Sequence, residues 1–134
     1  MYRARLPLVL GLFFCLGLIY AEIDEDKCYL GDPNNFVKPA EVDSRKVFAV
    51  IPAYKEIQEE NLDLRDARYH ILMAEASEVF NAALMKCSEK YGYDLIGEKG
   101  AITQEGKKVK NSKGEEVSVA DITKEMIKEI KGEK

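Results

Sequence analysis

Residues 72–97, LMAEASEVFNAALMKCSEKYGYDLIG, encode a helix, a stop signal and a strand in immediate succession. Apolar residues recur every three or four positions, at Leu72, Ala76, Phe80, Ala83, Cys87 and Tyr91. This spacing is about 3.7 residues per turn and predicts one amphipathic helix over about Leu64 to Tyr91. Gly92 should end the helix, because Gly readily adopts the left-handed conformation of a C-cap. Tyr93–Gly97 then favours a strand.

The residues before this helix predict a strand and a shorter helical segment. Val37–Val42 (VKPAEV) suits a strand. Pro39 restricts this strand to a sheet edge, or else Pro39 lies at the start of the strand. Asp43 and Ser44 offer N-cap oxygens to the helix that follows. The apolar positions of that helix are Val47, Phe48, Ile51, Tyr54 and Ile57. Pro52 lies inside this run and should kink or restart the helix, because it removes a backbone donor.

A polar connector, Gln58–Asp66, joins the two helical segments. Within it, Asp63 and Asp66 have the spacing of a capping box at the start of the long helix. The connector therefore predicts a turn between two consecutive helices.

Short strands and a last helix follow the long helix. Ala101–Thr103 predicts a strand, residues 104–114 a polar hairpin or loop, and Glu115–Val119 a further short strand. Asp121 or Thr123 should cap a final helix. That helix carries Ile122, Met126, Ile127 and Ile130 on one side. The order of strands and helices predicts the α+β class.

The N-terminal segment has the features of an export signal. Arg3 and Arg5 are followed by Leu6–Ala21, a stretch of 16 residues without a charge. A basic start, an apolar centre and a small residue at the end are typical of a secretory signal, here cleaved between Ala21 and Glu22. The alternative is an uncleaved anchor, but the stretch falls short of the roughly 20 residues that span a bilayer.

This interpretation divides the chain into three parts: a signal peptide at 1–21, an acidic N-terminal extension at 22–36 and a folded domain at 37–134. Removal of the signal changes the net charge from -4 to -6, since the signal's only charged residues are Arg3 and Arg5. An acidic domain disfavours nucleic acid and strong membrane binding after cleavage. Chains this short bury only about 60–70% of their unfolded surface, so a homo-oligomer is expected.

Two cysteines remain after cleavage, Cys28 and Cys87. In an oxidising compartment they are a candidate disulfide. Cys87 also lies on the apolar face of the predicted long helix, where a free thiol behaves as a small hydrophobe. Both interpretations stay open on the sequence.

Residues able to do chemistry are few. His70 is the only histidine, and its place near a helix start favours a surface position. The acidic pairs Glu59-Glu60 and Glu115-Glu116 lie in polar runs typical of solvated faces. A local basic patch at Lys107, Lys108, Lys110 and Lys113 indicates a solvated hairpin tip. We predict no catalytic residue, no metal site and no cofactor, and hence no enzyme.

Two stretches resemble the Skp/OmpH family of periplasmic chaperones. The first is VDSRKVF at 42–48, followed by Ile51, Pro52 and Tyr54. The second is SEKYGYDLI at 88–96, continued by EKGAI at 98–102 and by Asp121-Ile122-Thr123 with Ile127. The resemblance covers most of residues 40–131.

The resemblance implies a small β-sheet body with a short antiparallel, coiled-coil-like helical hairpin and a C-terminal helix, completed by trimerisation. It also implies a periplasmic chaperone that binds unfolded or outer-membrane proteins. Only 43 residues separate Phe48 from Gly92, so the helical arms would be much shortened and the cavity between them reduced. The alternative is an envelope structural or adaptor protein that retains only the oligomeric body.

Overall fold

The structure is a computed structural model that describes residues 23–102 and 108–132. Its four α-helices are α1 (Ser44–Phe48), α2 (Pro52–Glu59), α3 (Ala67–Tyr91) and α4 (Thr123–Lys131). Its strands are β1 (Cys28–Leu30), β2 (Pro39–Val42), β3 (Leu95–Glu98), β4 (Val109–Lys110), β5 (Glu116–Val117) and β6 (Ala120–Asp121). The described chain contains both helices and small sheets, and the fold is α+β as predicted.

The main sheet has four strands in the order β1-β3-β2-β6. Strand β2 runs parallel to both neighbours, pairing Ala40 with Ile96 of β3 and with Ala120 of β6. Strand β1 adds antiparallel to the other side of β3. A separate hairpin pairs β4 with β5.

Pro39 occupies the first residue of a central strand, which confirms the strand-start alternative. A proline has no N–H to donate, and at the first position this removes no bond from the middle of the ladder. The carbonyl of Lys38, immediately before it, accepts the N–H of Asp94 at 3.1 Å. The sheet therefore tolerates Pro39 in a strand that has a neighbouring strand on each side.

The main core lies between one face of the sheet and the helices. Val42 and Ile96 come from the sheet, Phe80 and Cys87 from α3, and Met126 from α4, and all are buried. A second, smaller cluster gathers Phe36, Leu95 and Ile102. Neighbouring residues Leu95 and Ile96 belong to different clusters because successive side chains of a strand point to opposite faces.

The helical segment before α3 breaks at Pro52 and restarts there. Helix α1 ends at Phe48, and α2 begins with Pro52 in its first turn. Ile51, between them, is extended with φ -82° and ψ 122°, the conformation that a following proline imposes. Asp43 holds the N-cap position of α1 but makes no side-chain capping bond, so the predicted cap chemistry is wrong there.

Helix α3 carries the predicted buried stripe and ends as predicted. Gly92 is left-handed with φ 76°, and its N–H donates to the carbonyl of Ser88 at 2.8 Å. Its buried side chains are Leu72, Ala76, Phe80, Ala83, Leu84 and Cys87. Tyr91, the last residue of the predicted stripe, is 37% exposed.

The predicted start of α3 at Leu64 is wrong, because the helix begins at Ala67. The backbone N–H of Asp63 donates to Asp66 Oδ2 at 2.9 Å, and Asp63 Oδ1 accepts the N–H of Arg65 at 2.8 Å. These bonds close a turn ahead of the helix. The pair therefore forms only one arm of a capping box, and Leu64 is left in the connector.

One further sequence prediction fails. Ala101 and Ile102 form no strand: the N–H of Ala101 donates to the carbonyl of Glu98 at 2.8 Å, which closes a turn. Thr103, the third residue of that predicted strand, lies outside the described residues. Residues 23–36 of the acidic extension contribute β1 to the sheet and bury Phe36.

Gly31 offers a direct test of how closely β1 approaches β3. Its φ is +89°, and a Cβ built on it lies 2.0 Å from the carbonyl oxygen of Asp94. Gly31→Ala should lower the free energy of unfolding by roughly 3 kcal/mol or more. The backbone at Asp94 must move away from the new Cβ, and the alanine must also adopt a strained left-handed conformation. Urea denaturation followed by circular dichroism measures the loss.

The matched control is Gly114→Ala. Gly114 has φ +77°, but nothing lies within 4 Å of its added Cβ. The cost should be about 1 kcal/mol, from the left-handed conformation alone. Equal losses for the two variants would contradict the close approach of Gly31 to Asp94.

Candidate functional site

A cluster of polar side chains lies where β2, β3 and β6 end. Because these strands are parallel, their carboxyl ends share one edge of the sheet, the edge where α/β sheets usually bind ligands. We call these residues the strand-end cluster: Tyr29, Asp43, Ser44, Glu98, Asp121 and Thr123. The strand-end cluster is therefore the candidate functional site.

Glu98, the last residue of β3, is one centre of the cluster. Its Oε1 accepts the backbone N–H of Ser44 at 3.0 Å, and its Oε2 accepts the hydroxyl of Tyr29. Partial burial and then the bond to Glu98 raise the pKa of Tyr29 to about 12. The phenol therefore stays protonated at physiological pH and acts as a donor to Glu98.

Thr123 is the other centre. Its hydroxyl donates to Asp121 Oδ1 at 2.6 Å and accepts the backbone N–H of Asp43 at 2.9 Å. Partial burial alone would raise the pKa of Asp121, but hydrogen bonds from Thr123 and the nearby Lys99 outweigh it, and the pKa lies below its ordinary value. Lys99 Nζ is 3.9 Å from Asp121 Oδ2.

These contacts join β1 and α1 to β3, and the end of β2 to the start of α4. The two carboxylates each accept bonds from the chain itself, and Tyr29 is held as a neutral donor. Such an arrangement stabilises the fold and supplies no activated nucleophile and base in contact with each other.

The candidate disulfide is not formed in the structure, where Cys28 and Cys87 are both free thiols. They lie in different apolar clusters: Cys87 is buried in the main core, and Cys28 packs against the second cluster. Burial, followed by neighbouring carboxylates, raises the pKa of both thiols. Each therefore keeps its proton near neutral pH, as expected of a packed side chain.

The structure leaves the other sequence candidates apart from one another. His70 is exposed, and its Nε2 lies 2.8 Å from the carbonyl oxygen of Leu64. Both acidic pairs, Glu59-Glu60 and Glu115-Glu116, are exposed, as are Lys108, Lys110 and Lys113. Lys107 and the cleavage position between Ala21 and Glu22 lie outside the described residues. Within 23–102 and 108–132, no three His, Cys, Asp or Glu side chains are placed to hold a metal ion.

Helix α3 also exposes a second line of residues, which we call the outer stripe: Ala67, Ile71, Ala74, Glu78, Ala82, Met85 and Glu89. Ala74, Glu78, Ala82 and Met85 each lie two positions from a buried residue, as Ala74 does from Ala76, and two residues turn a helix by about 200°. The outer stripe therefore faces away from the core. Ile71 is 60% exposed and Met85 47%.

Sequence reasoning found the buried line of α3 and missed the outer stripe. The same steps of three and four recur in both lines, so the signal was present in the spacing of Ile71, Ala74, Ala82 and Met85. The strand-end cluster had no such signal, because it depends on which strands become neighbours.

Comparisons with protein-family models, with curated proteins and with solved structures give no match to this chain. Across the described segments, none of the helices is long and apolar enough to cross a bilayer.

Thr123→Val tests the strand-end cluster. The variant leaves the N–H of Asp43 without its acceptor and Asp121 without its shortest donor. We expect a loss of about 1–3 kcal/mol of unfolding free energy at neutral pH. Thr123→Ser keeps the hydroxyl and should retain most of the stability in urea denaturation.

Thr123→Val should also change how the free energy of unfolding depends on acidic pH. The folded pKa of Asp121 is lowered, so its stabilisation is present above the ordinary value of 3.8 and is lost as the pH falls through the lowered pKa. Thr123→Val should therefore lose less additional stability than the wild type on acidification below pH 3.8. Parallel curves for the two proteins over that range would contradict the role of Thr123.

Proposed function

We propose that this chain is an exported chaperone of the Skp/OmpH kind, which binds unfolded or outer-membrane proteins in the periplasm. One observation carries the proposal: residues from both stretches of the resemblance, including the continuation of the second at 121–123, pack in one cluster. Val42, Ile96 and Ile122 are far apart in the sequence and share the main core. The residues that carry the resemblance thus contribute to one core, as parts of a single body would.

The helices support a shortened form of the family's arms. Helix α2 has 8 residues and α3 has 25, which correspond to about 12 and 38 Å at 1.5 Å per residue. Arg68 at the start of α3 pairs with Glu56 at 3.3 Å and with Glu60 at 3.2 Å, both on the α2 side of the turn. We propose that α2 and α3 form the root of an antiparallel hairpin.

Copies of the chain would complete the body as a trimer. The smallness of the domain supports this proposal, since a short chain can bury further apolar surface only against another chain. The proposed activity is binding, in place of catalysis. No cofactor enters the proposal.

Export of the chain belongs to the same proposal. The uncharged stretch after Arg5 would direct it to the periplasm, with cleavage between Ala21 and Glu22. The domain that remains is acidic, so the proposal includes neither nucleic acid nor strong membrane binding.

The test is aggregation of a urea-denatured outer-membrane β-barrel protein diluted into buffer. The exported, processed chain in molar excess should keep light scattering near its baseline, because a bound client cannot self-associate. An equal concentration of a folded acidic protein of similar size is the control. Unchanged aggregation in the presence of excess chain would reject the chaperone proposal.

A second candidate is an envelope structural or adaptor protein that keeps the oligomeric body without chaperone activity. The outer stripe of α3 favours it, because a regular helix face suits one folded partner better than many unfolded ones. Photo-crosslinking in cells from position Ala74 distinguishes the two candidates. One dominant adduct supports the adaptor, and a broad distribution of adducts supports the chaperone.

A further inference from the structure

We infer that the outer stripe of α3 docks a helix of another protein whose apolar stripe is flanked by Lys or Arg. The inference goes beyond the proposed function, since it concerns a folded partner helix and depends only on the surface of α3. It follows from three properties of that surface: its apolar residues, its carboxylates without an ion pair among the described residues, and the position of Glu78.

The apolar residues of the outer stripe suit a helix lying alongside. Ile71 and Met85 are 14 positions apart in the sequence, so about 21 Å of helix separates them. The three alanines, Ala67, Ala74 and Ala82, let a second backbone approach closely between and beside these larger side chains. Ile71 and Met85 would then fill gaps between the partner's side chains, as anchors in helix recognition do.

The charges of this face call for a basic partner. Two cations near its border are paired within the chain: Arg68 binds Glu56 and Glu60, and Lys86 Nζ lies 3.6 Å from Glu129 Oε1. Lys90 Nζ lies 5.5 Å from the centroid of the Tyr91 ring. Three exposed carboxylates of α3, those of Glu75, Glu78 and Glu89, form no ion pair within the described part of the chain. Lys or Arg beside the partner's apolar stripe would complement them.

Glu78 argues against a second copy of the same chain as the occupant. It stands in the middle of the outer stripe, with steps of four, three and four residues on its C-terminal side and the same steps on its N-terminal side. An antiparallel pair centred on this symmetry places Glu78 against its own copy, and so does a parallel pair in register. Like charges in contact destabilise such a pair, whereas a Lys opposite Glu78 stabilises a heterologous one.

Two synthetic helical peptides of about 20 residues test the inference. Both carry leucines at the spacing of an apolar stripe; one has lysines at the flanking positions and the other has glutamates there. Each is titrated into the isotope-labelled full chain, and amide chemical shifts are recorded. We expect saturable binding of the lysine peptide with a Kd on the order of 100 µM, as for small interfaces, and shifts centred on Ile71, Ala74 and Met85.

Charge reversal supplies the specific readout. The triple variant Glu75→Lys, Glu78→Lys, Glu89→Lys should weaken binding of the lysine peptide by about tenfold and strengthen binding of the glutamate peptide. The matched control reverses Glu25, Glu115 and Glu116, which are exposed and lie outside α3. It changes the net charge equally and should alter neither affinity by more than about twofold.

Ile71→Asp tests the apolar contact without disturbing the core, because Ile71 is already exposed. It should abolish saturable binding while leaving the urea midpoint unchanged. Equal affinities for the two peptides, an equal loss in the control triple variant, shifts outside α3 or no saturation by about 1 mM peptide would each overturn the inference. A dimer that Ile71→Asp dissociates and Glu78→Gln strengthens would also overturn it, in favour of a second copy.

Discussion

The parallel pairing of β2 with β3 is the constraint on which the rest of the structure depends. Parallel neighbours cannot be joined by a tight turn, so the chain between them must cross over the sheet. Helices α1, α2 and α3 supply that crossover, and α3 must bury one face against the sheet that it spans. The pairing of Val42 with Glu98 also fixes which residues meet at the carboxyl edge. The strand-end cluster is therefore a consequence of the register.

Local chemistry accounts for the parts of the fold that the sequence could predict. Gly92 ends α3 because glycine readily adopts the left-handed C-cap conformation, and Pro52 restarts the helix before it because proline fixes φ and lacks a backbone donor. Strand β1 was missed, since its three residues lie inside an acidic, turn-rich stretch and acquire strand structure only by pairing with β3. The contacts of Glu98 with Tyr29 and Ser44 were missed for the same reason: they join residues distant in the sequence.

Aromatic packing shows how the distant parts are held in one body. The rings of Phe48 and Phe80 stack with centroids 5.0 Å apart, and Tyr29 meets Phe80 edge-on at 5.2 Å. Tyr54 packs against Phe48 from α2 at 5.6 Å. One cluster thus ties β1, α1 and α2 to the middle of α3. Pairs with such geometry contribute about 0.5–1.5 kcal/mol beyond the area that they bury.

The residues behind the resemblance to the Skp/OmpH family serve mainly the core and the ends of helices. Val47, Ile51 and Ile122 are buried, and Gly92 is a C-cap. Such residues bear on the fold more than on what the protein binds. The outer stripe, by contrast, shares only Glu89 with the quoted motifs. The body and the proposed binding surface therefore rest on largely separate sets of residues.

Cross-strand nuclear Overhauser contacts test the central claim, the parallel pairing of β2 and β3, most directly. The structure predicts contacts of Pro39 with Leu95, of Ala40 with Ile96 and of Val42 with Glu98. Their observation in the isotope-labelled protein would establish the crossover and the shared carboxyl edge. Contacts of Pro39 with Glu98 and of Val42 with Leu95 would mean antiparallel strands, and would contradict the fold and the strand-end cluster together.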